Sequence, residues 1–112
     1  MIRGLSLALV ISAGCIDDGG PRLDAVLPVA AARNAMVTLT GQRLCGPSAD
    51  CARATGEIVL GLSPPQVHAD VVTTAADRIE VVIPAIAELG ATHLIATVDD
   101  RSSNALPFEV LP

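Results

Sequence analysis

The sequence predicts an all-β domain, a sandwich of about seven short antiparallel strands, and three observations carry that prediction. β-Branched or alternating apolar runs recur along the chain. Clusters of Gly, Pro, Asn and Asp separate them. No stretch sustains a helical apolar period with capping residues at its ends.

The strands are predicted at residues 22–27, 35–40, 56–60, 67–73, 78–83, 92–98 and 105–111. The first ends at Pro28, which has no N–H to give to a ladder. The second runs into Gly41, which permits a bend. The third is followed by Gly61-Leu62-Ser63-Pro64-Pro65, a loop by composition. The fourth contains His68-Ala69-Asp70, whose spacing puts the two polar side chains on one face. The fifth stops at Pro84. Residues 84–89 are the one stretch with helical character, and Gly90 closes it so soon that a turn or a single short helical turn is expected. The sixth alternates, with Leu94, Ala96 and Val98 inward and His93, Ile95 and Thr97 outward. Asp99-Asp100-Arg101-Ser102 turns the chain into the last strand, where Asn104 can bond within its own neighbourhood and Leu106, Phe108 and Val110 share a face.

At 112 residues the chain has room for one domain. Its apolar residues are Ala, Val, Leu and Ile, with Phe108 the single aromatic, so the core must be aliphatic. A small core without large rings leaves a thin margin and favours a covalent staple. All basic residues are arginine, dispersed among more numerous acids for a formal charge of −5, which argues against a nucleic-acid partner.

The first residues have the shape of a signal peptide at 1–14: Arg3, an apolar run over 5–11, then Ser12-Ala13-Gly14 before Cys15. The run is too short for a permanent span of a bilayer. Ala13, Gly14 and Cys15 resemble the lipobox of bacterial lipoproteins, although Ser12 stands where Leu is usual. The resemblance implies that Cys15 carries the lipid, with ordinary secretory cleavage after Gly14 as the alternative. Multiple acylation would hold the protein stably at a membrane. Residues 15–21, polar and glycine-containing after the cysteine, read as a flexible tether. Ile16 in place of Asp after the cysteine leans toward the outer membrane by the same resemblance.

Four segments in order carry a second resemblance: Arg22-Leu23-Asp24-Ala25-Val26-Leu27-Pro28, the stretch from Met36 to Leu44, Arg78-Ile79-Glu80-Val81-Val82-Ile83-Pro84, and the stretch from Ser103 to Val110. Together they resemble an IPT/TIG domain over nearly the whole of 22–112. That family implies an immunoglobulin-like β-sandwich, in agreement with the strand count. The chain departs from the pattern by having aliphatics for an inward aromatic in the penultimate strand, and by an insertion with Cys45 and Cys51 after the Gly41 bend.

With Cys15 assigned to lipid, Cys45 and Cys51 form an even pair across a Gly-Pro-Ser turn, and in an exported protein they are expected to be a disulfide. A metal site or a reactive thiol are the rivals, but no histidine lies near enough in sequence to complete a familiar zinc spacing. His68 with Asp70, and His93, are read as outward polar residues before any catalytic or metal role. Ser63 lacks the glycine that closes a nucleophile elbow. Asp99 and Asp100 read as a solvated acidic turn before a calcium site, which needs more oxygen ligands than can be counted here.

No catalytic residues, no metal and no cofactor are therefore expected, and no small-molecule substrate. The expected function is that of a non-catalytic cell-envelope lipoprotein, a structural or protein-interaction module that meets the membrane through its lipid and a protein partner through an edge strand or loops. The alternative function is a secreted or surface glycan-binding module, which the scarcity of aromatic rings disfavours, and the alternative location to the outer membrane is periplasmic or secreted. Whether the domain stands alone or belongs to a longer tandem array is left open by the residues.

Overall fold

The computed structural model describes residues 19–47, 50–53 and 56–112. The predicted leader at 1–14 and Cys15 lie outside the described residues, as does most of the tether. Among the described residues ten strands follow in order: β1 (Arg22–Leu27), β2 (Ala30–Ala32), β3 (Met36–Gln42), β4 (Gly56–Leu60), β5 (Val67–His68), β6 (Asp70–Ala75), β7 (Arg78–Val82), β8 (Gly90–Val98), β9 (Arg101–Ser102) and β10 (Leu106–Leu111). No described helix is long and apolar enough to cross a membrane.

The strands form two sheets that stack into a sandwich. One has the order β1-β3-β7-β6; the other has the order β2-β10-β8-β4-β5, with β9 also paired to β8. Pairings are antiparallel except that β2 runs parallel to β10. Strands one, three, seven and six in one sheet, facing a sheet built on four, eight and ten, reproduce the A-B-E-D against C-F-G arrangement of immunoglobulin-like sandwiches. The predicted fold class is the observed one.

Alternation explains the core. Val37 and Leu39 of β3 and Ile79 and Val81 of β7 face inward from one sheet, and Ile58, Leu60, Leu94, Ala96, Phe108 and Val110 meet them from the other. Leu39, Leu94, Ala96 and Val81 are fully buried. Each large aliphatic side chain so placed contributes roughly 1.5–3 kcal/mol relative to exposure. His93, Ile95 and Thr97 are half-buried on the opposite face of β8, as alternation requires.

Three elements differ from expectation. The strand predicted over 67–73 is two strands. Val67 and His68 pair with β4 in one sheet, whereas Asp70 onward pairs with β7 in the other, and the chain crosses at Ala69, 8% exposed, whose N–H bonds Ile58 O at 2.9 Å. β2 follows the cis Leu27-Pro28 bond and moves the chain to the second sheet. β9 is set by the two-residue turn Asp99-Asp100, both at positive φ (49° and 68°), the geometry of a type I′ hairpin whose twist matches its strands. Residues 84–89 hold a turn, with Ala87 N–H bonded to Pro84 O at 3.1 Å.

Candidate functional site

The described residues of the β3–β4 connection are tied to the sandwich at several points. Leu44 is anchored by its N–H to Ala76 O at 2.8 Å, and its side chain and that of Cys45 are buried beside the core. Cys45 is disulfide-bonded to Cys51. Gly46, between them, has φ +84°, and a Cβ there would stand 2.8 Å from the Asp99 carboxylate. The turn therefore needs glycine both for its conformation and for the approach of the β8–β9 turn. A bridge of this kind persists in oxidising compartments outside the cytoplasm.

The other singled-out polar residues are dispersed. His68 and Asp70 do not share a strand face as predicted, because the crossover at Ala69 puts them in different sheets. His68 Nε2 instead meets Glu57 Oε1 at 2.5 Å, with side chains 68% and 51% exposed. His93 is half-buried on the outer face of β8, and its carbonyl accepts the Gly61 N–H at 2.9 Å. Ser63 lies in the exposed loop between β4 and β5. Asp99 and Asp100 form the hairpin turn. Among the described residues, no group of three or more His, Cys, Asp or Glu side chains is arranged to hold a metal ion.

The Ser103 hydroxyl holds the backbone of its turn. Ser103 Oγ accepts the Ala96 N–H at 2.9 Å and donates to Asn104 O at 2.8 Å. Asn104 reaches further than its local reading implied: its amide grips the backbone of Leu23, 81 residues away. No short-range pattern marks that role, since a Ser-Ser-Asn turn before a strand predicts bonds to near neighbours. Arg33 and Arg43 are likewise backbone ties. Their Nε groups donate to Ala87 O at 2.6 Å and to Gly20 O at 2.8 Å.

The larger concavities lie at one end of the sandwich and on one sheet face. One, of about 300 Å³, lies at the end of the sandwich between the β4–β5 and β7–β8 connections, lined by Leu60, Pro65, Val67, Ile86, Leu89 and Thr92 among others. The second is a shallow polar depression of about 490 Å³ on the outer face of the four-stranded sheet, bordered by Asp24, Thr40, Thr73, Asp77 and Arg78. It is flanked by β-bulges in both edge strands, at Asp24 in β1 and Val72 in β6. Two of its charged groups are engaged within the sheet: Asp24 with Arg22 at 3.0 Å, and Arg78 near Glu80 at 4.0 Å.

No protein-family model matches the chain, and no curated protein matches it in sequence. Solved structures do share its fold. An auxiliary nutrient binding protein from Bacteroides ovatus aligns over 85% of this chain with a TM-score of 0.53 and 15% identity. A candidate bacterial DNA-binding protein from Bacteroides vulgatus aligns over 95% with a TM-score of 0.60, also at 15% identity. The chain spans 22% and 53% of those two proteins' lengths, so what is similar is a sandwich module within each of them.

Proposed function

We propose that this chain is a non-catalytic cell-envelope lipoprotein, carried on Cys15, whose single immunoglobulin-like domain is of IPT/TIG type and serves as a structural or protein-interaction module. The observation that carries the reading is the Cys45–Cys51 bridge. It supports export to an oxidising compartment, and with Cys45 and Cys51 paired it leaves Cys15, behind the apolar run and ahead of the first strand in sequence, as the cysteine available for the lipid.

The dispersion of His68, Asp70, His93 and Ser63 supports the absence of a catalytic role, since general acid–base or nucleophilic work needs such groups within hydrogen-bond reach of one another. The formal charge of −5 argues against carrying over DNA binding from the Bacteroides vulgatus neighbour. The Bacteroides ovatus neighbour supports a module that accompanies larger proteins, by analogy of fold alone. Protein contact has two routes: the loops, and the edge strand β6, whose six residues are all exposed.

Glycan binding is the second reading, favoured by the polar depression between the two bulges. It lacks the aromatic platform on which sugar rings stack, and a glycan array on which the purified protein gives no signal removes it.

The principal test is metabolic labelling with an alkyne fatty acid, followed by fractionation of the envelope. Label on the wild type, lost in Cys15→Ser along with retention in the membrane fraction, is the expected result. An unlabelled wild type that fractionates with soluble protein overturns the anchor.

A further inference from the structure

The chain meets the sandwich under restraint. Gly20 and Pro21 are buried, and the Gly20 carbonyl accepts the Arg43 Nε–H at 2.8 Å. The last residues of the predicted tether are therefore docked on the domain, at the end where β1 starts. Five residue steps separate Gly20 from Cys15. A fully extended chain gains at most ~3.6 Å per residue, so those steps reach no further than about 18 Å. A lipid headgroup layer takes up roughly 5–7 Å of that reach.

The fold also brings arginines to this end. Arg22 opens β1, Arg78 opens β7, Arg101 follows the Asp99-Asp100 turn, and Arg43 and Arg53 lie in the β3–β4 connection. Register and backbone bonds set these segments side by side: Arg22 pairs with Gln42, the Leu44 N–H reaches Ala76 O at 2.8 Å, and Gly46 stands close to the Asp99 carboxylate. The Arg53 and Arg78 side chains are 89% and 60% exposed. Asp24, Asp50, Asp77, Asp99 and Asp100 stand among the five arginines, so this end is close to neutral. Elsewhere the described strands carry Glu57, Asp70, Glu80 and Glu109 with no arginine beside them in sequence, and the connections at the far end carry only Arg33 and Glu88.

We propose that the arginine-bearing end is the membrane-facing surface of the anchored protein, which stands end-on upon phospholipid headgroups with the opposite loops held outward. The inference rests on the reading of Cys15 as the lipid-bearing residue and adds an orientation to it. Reach keeps this end at the bilayer. Charge selects the end over a side of the sandwich: an anionic leaflet repels strand faces rich in acids, but not a neutral end whose exposed guanidiniums match phosphate oxygens. β8 is nine residues long and runs between the two ends, which sets them about 26 Å apart. The connections at 61–66 and 84–89 accordingly face away from the bilayer, where a protein partner has access to them.

The chain has no Trp or Tyr, so one introduced Trp is a unique energy donor. The acylated full chain, purified from the membranes of producing cells, is added to preformed phosphatidylcholine–phosphatidylglycerol vesicles with a dansyl acceptor on the lipid headgroup, and the vesicles are floated. Asp77→Trp and Gln42→Trp mark the near end; Ile86→Trp and Leu62→Trp mark the far end. All four side chains are exposed, and a circular dichroism spectrum equal to the parent's confirms each fold. Transfer from the near-end probes should exceed that from the far-end probes by about three-fold or more, given the ~26 Å between them. Equal transfer, or more from Ile86→Trp, overturns the orientation, while flotation leaves the lipid anchor standing. A chain that does not float overturns the anchor and the orientation with it. A spacer of twenty Gly and Ser residues between Asp18 and Gly19, with a reach of ~25 Å, should erase most of the difference. A difference unchanged by the spacer would overturn the short tether as its cause.

Discussion

Asn104, in the turn before β10, holds both backbone groups of Leu23 on β1: its Oδ1 accepts the Leu23 N–H at 2.9 Å and its Nδ2 donates to the Leu23 carbonyl at 2.9 Å. Leu23 is 2% exposed and sits where β1 shifts register against β3. A single amide in the turn before β10 therefore satisfies an edge strand of the other sheet, and joins the two layers at that point.

Removing that amide should be costly. Asn104→Ala strands a buried N–H and a carbonyl, and is expected to lower stability by about 1–3 kcal/mol in denaturant titration. Asn104→Asp keeps the acceptor but turns the donor into a second acceptor against the Leu23 carbonyl, so it should rescue little. Equal midpoints for wild type and Asn104→Ala would show the clamp to be inert.

Gly41 makes a second close approach beside the same residue. A Cβ there would lie 2.0 Å from the Arg22 carbonyl oxygen, which is backbone and cannot swing away. Gly41→Ala is expected to cost about 3 kcal/mol by overpacking, near the upper end for one methyl group. Gly90→Ala makes a useful contrast: its φ of +107° strains a side chain, yet nothing lies within 4 Å of the added carbon. A Gly41→Ala protein as stable as wild type would contradict the packing described at the bulge.

These two positions show where sequence reading stops. The alternation of Leu94, Ala96 and Val98, and of Leu106, Phe108 and Val110, was enough to place the long strands, because each position's face follows from its neighbours. Asn104 has the sequence signature of a local turn residue, since nothing nearby in sequence reveals a partner across the sandwich. Ala30-Ala31-Ala32 has little strand propensity, and its strand exists because β10 lies alongside it. The crossover at Ala69 was hidden for a similar reason: an alternating run looks the same whether it stays in one sheet or changes sheets at a small residue. The cysteine pair was legible from its spacing and turn. The gathering of exposed Leu27, Met36, Leu62 and Ile86 at one end of the sandwich was not, because they come from strand ends and loops far apart in sequence.

The disulfide should contribute stability without deciding the fold. Closing a short loop contributes about 2 kcal/mol in the chain-entropy model. The double variant Cys45→Ser/Cys51→Ser, or the reduced protein, is expected to unfold at correspondingly lower denaturant while keeping a β-rich circular dichroism spectrum. Complete loss of the β signal on reduction would mean that the aliphatic core cannot hold the sandwich unaided.

His68 provides the opposite case. Its pair with Glu57 is solvent-exposed on both sides, and such pairs contribute little. His68→Ala should change stability by no more than about 0.5 kcal/mol. A large loss of stability would require a role for His68 beyond this surface pair.

Export to an oxidising envelope and anchoring at Cys15 leave a joint signature in the mature mass. Intact-mass spectrometry of the protein isolated from its own membranes tests both at once. A chain beginning at Cys15, heavier by its acyl groups and lighter by the two hydrogens of the Cys45–Cys51 bridge, is predicted. A chain that still begins at Met1 and carries three free thiols would contradict it.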